Sequence, residues 1–142
     1  MYHEPCHTPM KHHHGLKVAN ALIGAPVVLS DRCCGESGTL AATRPDISTQ
    51  VRFRKQEEIV RGVAAMTAEP NSSGGGTALD RPVVKILTSC PSCVQGLARY
   101  GDDAGIEADY IVVEMAKSLL GPNWLDDYVA RAGAGGIERV LL

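Results

Sequence analysis

The sequence contains few aromatic residues and lacks a long hydrophobic run. Phe, Trp and Tyr together make up 4% of its 142 residues, too few for the aromatic platform on which single-stranded nucleic acid stacks. The longest apolar run, residues 21–29, is interrupted by Gly24 and Pro26. It is also far shorter than the roughly 20 residues of a membrane-spanning helix. We therefore expect neither a nucleic-acid-binding surface nor a membrane-spanning segment.

The chain also lacks a charge excess of either sign. Its formal net charge is −2, with 21% charged and 44% hydrophobic residues. This balance is typical of a soluble globular protein and gives no reason to expect nucleic acid or an anionic membrane as a partner. The first residues, MYHEPCH, resemble no secretory signal. We therefore expect a reducing cytoplasmic compartment, where cysteines are more often ligands or catalysts than disulfides.

Short strand patterns alternate with helical patterns along the chain. The alternation predicts a single α/β domain over residues 1–142, with a Rossmann-like parallel sheet flanked by helices. The Gly-rich stretch 68–80 is typical of a flexible loop. Strands are predicted before Pro5 and at 26–29, 83–87, 111–113 and 139–142, and helices at 11–23, 45–66, after Cys93, 114–120 and 124–132.

The long helix predicted at 45–66 has a start signal and an apolar face. Asp46 is its expected N-cap, because an aspartate side chain can accept a hydrogen bond from a free N–H group of the first turn. The charged run 52–58, RFRKQEE, is expected to face solvent.

The five cysteines occupy three places in the sequence: Cys6, the adjacent pair Cys33 and Cys34, and Cys90 with Cys93. Each place follows a predicted strand, and the carboxyl ends of parallel strands share the edge where such sheets bind ligands. Cys90 and Cys93 also share one face at a helix start, where free N–H groups favour thiolates. We therefore expect the five thiols to line one pocket that holds an iron–sulfur cluster or zinc.

Several neighbours of the cysteines are expected to support this site. Glycines beside the double cysteine would let the backbone approach the sulfur atoms and offer them amide groups. Histidines that flank the first cysteine could hydrogen-bond to the site or bind metal. The supporting residues proposed on these grounds are His3, His7, Arg32, Gly35 and Gly38, with Lys85 as a further candidate cation.

Three other interpretations of the cysteines remain open. Cys90 and Cys93 form a Cys-x-x-Cys motif after a strand, which is also the arrangement of a thiol–disulfide redox site. The adjacent cysteines could instead be small buried apolar residues. Finally, four of the thiolates would suffice for a structural zinc site in an interaction domain without redox function.

Three motifs carry a resemblance to a known family. The segments YHEPCH, CCGESGT and SCPSC occur in the order found in the cysteine-rich CCG domain. That domain occurs in the B subunit of heterodisulfide reductase and in iron–sulfur subunits of glycolate oxidase type. The chain most resembles the C-terminal region of bacterial FAD/FMN-containing iron–sulfur oxidoreductases of the FAD-linked oxidase type, and the resemblance covers essentially all 142 residues.

The resemblance implies a metal site and a redox function. The matching positions, Cys6, Cys33, Cys34, Cys90 and Cys93, bind a non-cubane four-iron cluster in the heterodisulfide reductase relatives. Some other relatives hold zinc or a more ordinary cluster. The implied role is electron transfer from an FAD, on another domain or subunit, that oxidises a small 2-hydroxy acid of D-lactate or glycolate type. The acceptor would be a quinone or a protein.

The resemblance also implies a setting for the chain. It would be the C-terminal part of a longer oxidoreductase, cytoplasmic or peripheral at the inner membrane, and a homodimer is compatible with it. Two departures from the family pattern stand out. The gap from Cys34 to Cys90 is longer than usual, which the Gly-rich loop explains, and the strand that normally precedes Tyr2 is absent.

Overall fold

The computed structural model describes residues 1–8, 12–36, 39–67 and 83–135. The strands of this part are β1 (Tyr2–His3), β2 (Leu29–Ser30), β3 (Val84–Thr88) and β4 (Ile106–Tyr110). Its helices are α1 (Gly15–Ile23), α2 (Leu40–Thr43), α3 (Pro45–Thr67), α4 (Pro91–Ala98), α5 (Gly101–Ala104), α6 (Ile111–Leu120) and α7 (Trp124–Gly133). Gly38, the predicted loop 68–80 and the predicted strand 139–142 lie outside the described residues.

Within the described residues, four strands form one parallel sheet in the order β2-β1-β3-β4. The predicted α/β class with a parallel sheet flanked by helices is therefore confirmed. Tyr2 of β1 lies opposite Leu29 of β2 and also opposite Leu87 of β3. The chain therefore leaves β1 for β2 on one side of it and reaches β3 on the other. Sheets of this kind bind ligands beyond the carboxyl ends of the strands where the order reverses.

Side chains of β3 alternate between two apolar clusters, one on each face of the sheet. Val84 and Ile86 face helices α3 and α4, whereas Leu87 faces helix α1. The first cluster contains Met1, Cys34, Ile59, Val84, Ile86, Cys93, Leu97, Tyr100 and Ile106. The second contains Tyr2, Ala19, Leu87 and Ile111. Two cysteines therefore belong to the buried layer between the sheet and helices α3 and α4.

The last strand among the described residues is β4, and the strand predicted at 111–113 is wrong. Residues 106–110, IEADY, alternate apolar and charged side chains, which suits a strand at the edge of the sheet. The apolar run that follows begins helix α6 at Ile111. A short run of β-branched residues fits a strand and a buried helix start equally well, and here the helix forms.

Helix α3 corrects two further predictions. It begins at Pro45, so Asp46 lies in the first turn and not at the N-cap, and its carboxylate pairs with Arg44. The run 52–58 is not uniformly solvated, because Lys55 is fully buried and Glu58 is largely buried. Buried partners of Lys55 and Glu58 explain this difference.

The chain divides into two compact units, Met1–Ile111 with the sheet and Val112–Leu142 with most of α6 and with α7. Within the second unit the described residues expose several large apolar side chains, among them Leu119, Leu120 and Val129. None of the described helices is both long and apolar enough to span a membrane.

Candidate metal centre

Three cysteine segments meet at the carboxyl edge of the sheet. Cys6 follows β1, the pair Cys33 and Cys34 follows β2, and Cys90 lies between β3 and α4 with Cys93 in the first turn of that helix. All five are free thiols, and their burial runs from exposed for Cys6 to fully buried for Cys34 and Cys93. The structure therefore arranges the thiols from the surface inward.

The innermost contact joins Cys34 and Cys93. Their sulfur atoms lie 3.4 Å apart although the residues are 59 positions apart in the chain. The hydrogen bond between them lowers the pKa of Cys34 to about 4. The same bond, together with burial, raises the pKa of Cys93. The shared hydrogen bond therefore shifts the pKa values of the two thiols in opposite directions.

The outer contact joins Cys6 and Cys33, whose sulfur atoms are 3.9 Å apart. Burial and the neighbouring Cys33 raise the pKa of the Cys6 thiol. The backbone N–H of Gly35 points at the Cys33 sulfur from 3.4 Å, as amides do at metal-bound thiolates. The Cys90 thiol lies near Cys93, because it contributes to raising the pKa of Cys93.

Two glycines give the turn after the double cysteine its close packing. Gly35 has a φ of +81°, which other residues rarely adopt. Gly96 lies where α4 passes over this turn, and a Cβ there would come within 2.5 Å of Glu36 and 3.4 Å of the Cys34 Cβ. The glycine of α4 therefore lets the Cys34 loop lie directly against the helix that carries Cys93.

Glu36 fastens the same loop to two helices. Its carboxylate accepts hydrogen bonds from Arg52 of α3 and from Arg99 after α4, the second at 2.5 Å. The Glu36 side chain is only 14% exposed, so these charge-assisted bonds are partly shielded from water. Glu36 thus ties the loop of the double cysteine to α3 and to the end of α4.

His3 lines the inner part of the site. Its ring is fully buried, and Nδ1 lies 3.0 Å from the Ser30 carbonyl oxygen. Its Nε2 has no hydrogen-bond partner among the described residues. Ligand atoms of His3, Cys34 and Cys93 all lie within 4.8 Å of one another. The sequence suggested only that His3 flanks the site, whereas the structure brings its ring to the two innermost thiols.

The remaining predicted supporting residues are His7, Arg32, Lys85 and Gly38. His7 is exposed. The Arg32 guanidinium donates to the Arg54 carbonyl oxygen at 2.8 Å and lies 3.6 Å from Glu57, so it contacts α3. Lys85 pairs with Glu107 across β3 and β4. Gly38 is outside the described residues.

The sequence missed the buried cation nearest to this site, which is Lys55. Its Nζ lies 2.7 Å from Glu58 Oε2 and 3.1 Å from His3 Nδ1. Burial lowers the pKa of Lys55, while Glu58 and the Cys34 charge act in the opposite direction. Nothing in a helical run of mixed charges marks one lysine as inward-facing, so only the packing of α3 identifies it.

The donor set fits a metal that prefers soft ligands. Thiolates favour zinc and iron–sulfur clusters, and a free imidazole nitrogen suits zinc or iron. A buried nitrogen without a partner is costly unless a proton acceptor or a metal completes its contacts. The inner pocket of His3, Cys34 and Cys93 supplies such atoms in one place.

Comparison with known proteins adds one family match. The model of a domain of unknown function (DUF3400) matches residues 98–142, a stretch that contains none of the five cysteines. No curated protein and no solved structure matches the chain.

Proposed function

We propose that this chain binds an iron–sulfur cluster of four-iron type at its cysteine edge and serves in electron transfer. The observation that carries the proposal is the meeting of five thiols from three separate segments at one edge of the sheet, with sulfur contacts of 3.4 and 3.9 Å. A single metal ion needs at most four of them. A polynuclear cluster uses more ligands and gives the adjacent Cys33 and Cys34 a reason to be neighbours.

The gradient of burial suits an electron carrier. Cys34 and Cys93 lie inside, where low polarity strengthens sulfur–metal and hydrogen-bond interactions. Cys6 lies at the surface, where a partner can approach within electron-transfer distance. The N–H of Gly35 at the Cys33 sulfur is of the kind that sets cluster potentials.

The resemblance to CCG domains supports the rest of the proposal. The electron donor would be an FAD on another domain or subunit that oxidises a small 2-hydroxy acid, and the acceptor a quinone or a protein. A cytoplasmic chain, in contact with the inner membrane where the acceptor is a quinone, fits this role.

A zinc site is the second candidate. Its support is the compact group of His3, Cys34 and Cys93, since histidine and cysteine together are common zinc ligands. A dithiol redox site at Cys90 and Cys93 has weaker support. The sulfur in contact with Cys93 at 3.4 Å belongs to Cys34, which is outside the Cys-x-x-Cys motif.

Anaerobic reconstitution tests these candidates. The reduced chain is incubated with iron and sulfide or with zinc, desalted, and analysed for all three elements. We expect about four irons per chain with matching sulfide. Cys34→Ser should lose nearly all of this iron, because it removes the thiolate of the inner pair. Ser92→Ala, at an exposed position between Cys90 and Cys93, serves as the control and should keep it.

The other outcomes identify the alternatives. Stoichiometric zinc without iron and sulfide would show that the site binds zinc and not an iron–sulfur cluster. Retention of neither metal, with a reversible Cys90–Cys93 disulfide found by mass spectrometry, would favour the dithiol. Full iron content in Cys34→Ser would remove the inner pair from the ligand set.

A further inference from the structure

Lys55 makes contacts that use all the hydrogen-bonding capacity of its ammonium group. It is fully buried, and an ammonium has three N–H donors and no acceptor. Three groups surround its Nζ: Glu58 Oε2 at 2.7 Å, Ser30 Oγ at 2.5 Å and His3 Nδ1 at 3.1 Å. Ser30 Oγ can accept from Lys55 because its own proton goes to Glu58 Oε2, 2.8 Å away.

His3 Nδ1 has two neighbours that make opposite demands on it. The Ser30 carbonyl oxygen, at 3.0 Å, can only accept a hydrogen bond, so this contact requires a proton on Nδ1. The Lys55 ammonium, at 3.1 Å, can only donate, so this contact requires a lone pair on Nδ1. One nitrogen cannot satisfy both contacts in the same tautomer.

The charged contact decides between the two tautomers. A proton on Nδ1 would face the ammonium and leave one N–H of a fully buried cation without an acceptor. Hydrogen bonds to charged groups are stronger than neutral ones, and a buried charged group that lacks a partner is costly. The neutral bond to the Ser30 carbonyl is the weaker of the two. Nδ1 therefore accepts from Lys55, and the imidazole proton lies on Nε2.

Nε2 is then the nitrogen available to the thiols, because Nδ1 is engaged by Lys55 and Ser30. Nε2 is buried and has no hydrogen-bond partner among the described residues, and a ring nitrogen of His3 lies within 4.8 Å of the sulfur atoms of Cys34 and Cys93. A chain of groups results: the Glu58 carboxylate, the Lys55 ammonium, the His3 imidazole and the Cys34 sulfur. The Glu58 carboxylate and the Lys55 ammonium carry opposite charges, and the neutral imidazole lies between the ammonium and the thiols.

We propose that Lys55 is a positioning residue that holds His3 in the tautomer protonated on Nε2, so that His3 offers this proton to the sulfur atoms of Cys34 and Cys93 and does not ligate the metal. The effect of Lys55 on a bound cluster rests on the proposed function. The tautomer of His3 does not, because it follows from contacts within the chain. An N–H donor at sulfur stabilises the more negative, reduced state of a cluster. Lys55 therefore raises the reduction potential through His3.

Nitrogen NMR of the reduced, metal-free chain tests the tautomer directly. Long-range correlations between imidazole protons and ¹⁵N nuclei distinguish a protonated from an unprotonated ring nitrogen, and His3→Gln identifies the His3 signals by their loss. We expect a protonated Nε2 and an unprotonated Nδ1. In Lys55→Met we expect the reverse pattern, because Nδ1 is then free to donate to the Ser30 carbonyl. A wild-type chain protonated on Nδ1, or an unchanged pattern in Lys55→Met, overturns the proposal.

Two further variants keep this test decisive. Lys55→Met leaves the Glu58 carboxylate without its cation, so the double variant Lys55→Met/Glu58→Gln is measured beside it and should show the same reversal. Lys17→Met removes an exposed lysine of α1 and should leave the His3 signals unchanged. Circular dichroism shows whether each variant is folded.

The loaded protein separates this proposal from the proposed function. Where the wild type takes up iron and sulfide, Lys55→Met should shift the midpoint potential downward and Lys17→Met should not. A loaded wild type whose potential and tautomer are both insensitive to Lys55→Met overturns the role of Lys55 and leaves the cluster intact. If the wild type takes up no iron and sulfide but the tautomer of His3 still reverses in Lys55→Met, the proposed function is wrong and the role of Lys55 in setting the His3 tautomer is retained.

Discussion

Gly35 shows how a single backbone position sets the geometry of the thiols. Its φ of +81° turns the chain directly after Cys34, and its N–H reaches the Cys33 sulfur. Its carbonyl oxygen accepts a bond from Ser48 Oγ at 3.1 Å, which ties the turn to α3. A β-carbon at this position would lie 3.1 Å from the Arg52 side chain. The turn therefore depends on glycine for two independent reasons.

Gly35→Ala should consequently destabilise the fold more than an alanine at an open glycine. Gly105 is the matched control, since its φ is +64° and a β-carbon there meets nothing within 4 Å. We expect Gly105→Ala to cost about 1 kcal/mol for the left-handed backbone alone. Gly35→Ala should cost about 2–3 kcal/mol, because the crowding at Arg52 adds to the same backbone cost. Urea denaturation of the reduced chain measures both, and equal losses would show that the Arg52 contact is unimportant.

Helix α3 holds the site through charged residues that it turns inward. Glu58 Oε1 accepts from the N–H groups of Asp31 and Arg32 at 3.0 and 3.3 Å, in the loop that leads to the double cysteine. Its Oε2 binds Lys55, which contacts His3. One ion pair on adjacent turns of α3 therefore connects to β1 and to the segment after β2.

The free energy of unfolding at acidic pH should depend on this ion pair between Lys55 and Glu58. Burial raises the pKa of Glu58, but the hydrogen bonds from Lys55 and Ser30 and the Lys55 charge together lower it below its ordinary value. A carboxyl group with a lowered folded pKa stabilises the fold fully above its unfolded pKa of about 4.3 and loses that contribution as the pH falls through the folded value. Glu58→Gln should therefore cost about 3 kcal/mol at pH 7 and progressively less below pH 4.

Glu57→Gln is the control for this prediction. Glu57 is adjacent in sequence, and its side chain is 64% exposed. Its replacement should change the free energy of unfolding by under about 1 kcal/mol at either pH. A Glu58→Gln loss that stays constant from pH 7 to pH 3 would mean that the carboxylate charge does not stabilise the fold.

The elements that the sequence predicted well are those with an unambiguous period and a boundary signal. The strand at Val84–Thr88 and the helix at Pro91–Ala98 follow this pattern, with a β-branched run and then a proline at the first helical position. Strand β4 was missed because Glu107 and Asp109 make its sequence polar. At the edge of a sheet such residues can face water, but their position there depends on pairing with β3, which local sequence does not encode.

At the scale of the whole molecule, the meeting of the cysteines follows from topology. Each cysteine segment comes after a strand, and parallel strands place such segments at one edge, so the sequence could predict a shared pocket. The sequence could not predict which thiols touch, because the Cys34–Cys93 contact depends on how α4 packs over the turn at Gly35. The inward position of Lys55 has the same origin in tertiary packing. That the five thiols bind a metal stays a prediction.

A metal bound at this edge should stabilise the unit Met1–Ile111 as a whole. Its ligands come from segments after β1, β2 and β3, so loading joins parts of the chain that unfolding would separate. A ligand that binds only the folded state at about 100 times its dissociation constant adds about 2.7 kcal/mol to the free energy of unfolding. We expect anaerobic urea denaturation to show a gain of this size on loading with iron and sulfide or with zinc. Cys34→Ser should remove the gain, whereas Ser92→Ala should keep it. Metal that remains bound without raising the denaturation midpoint would indicate attachment to the unfolded chain or to surface groups such as His12–His14, and would count against a site built by the fold.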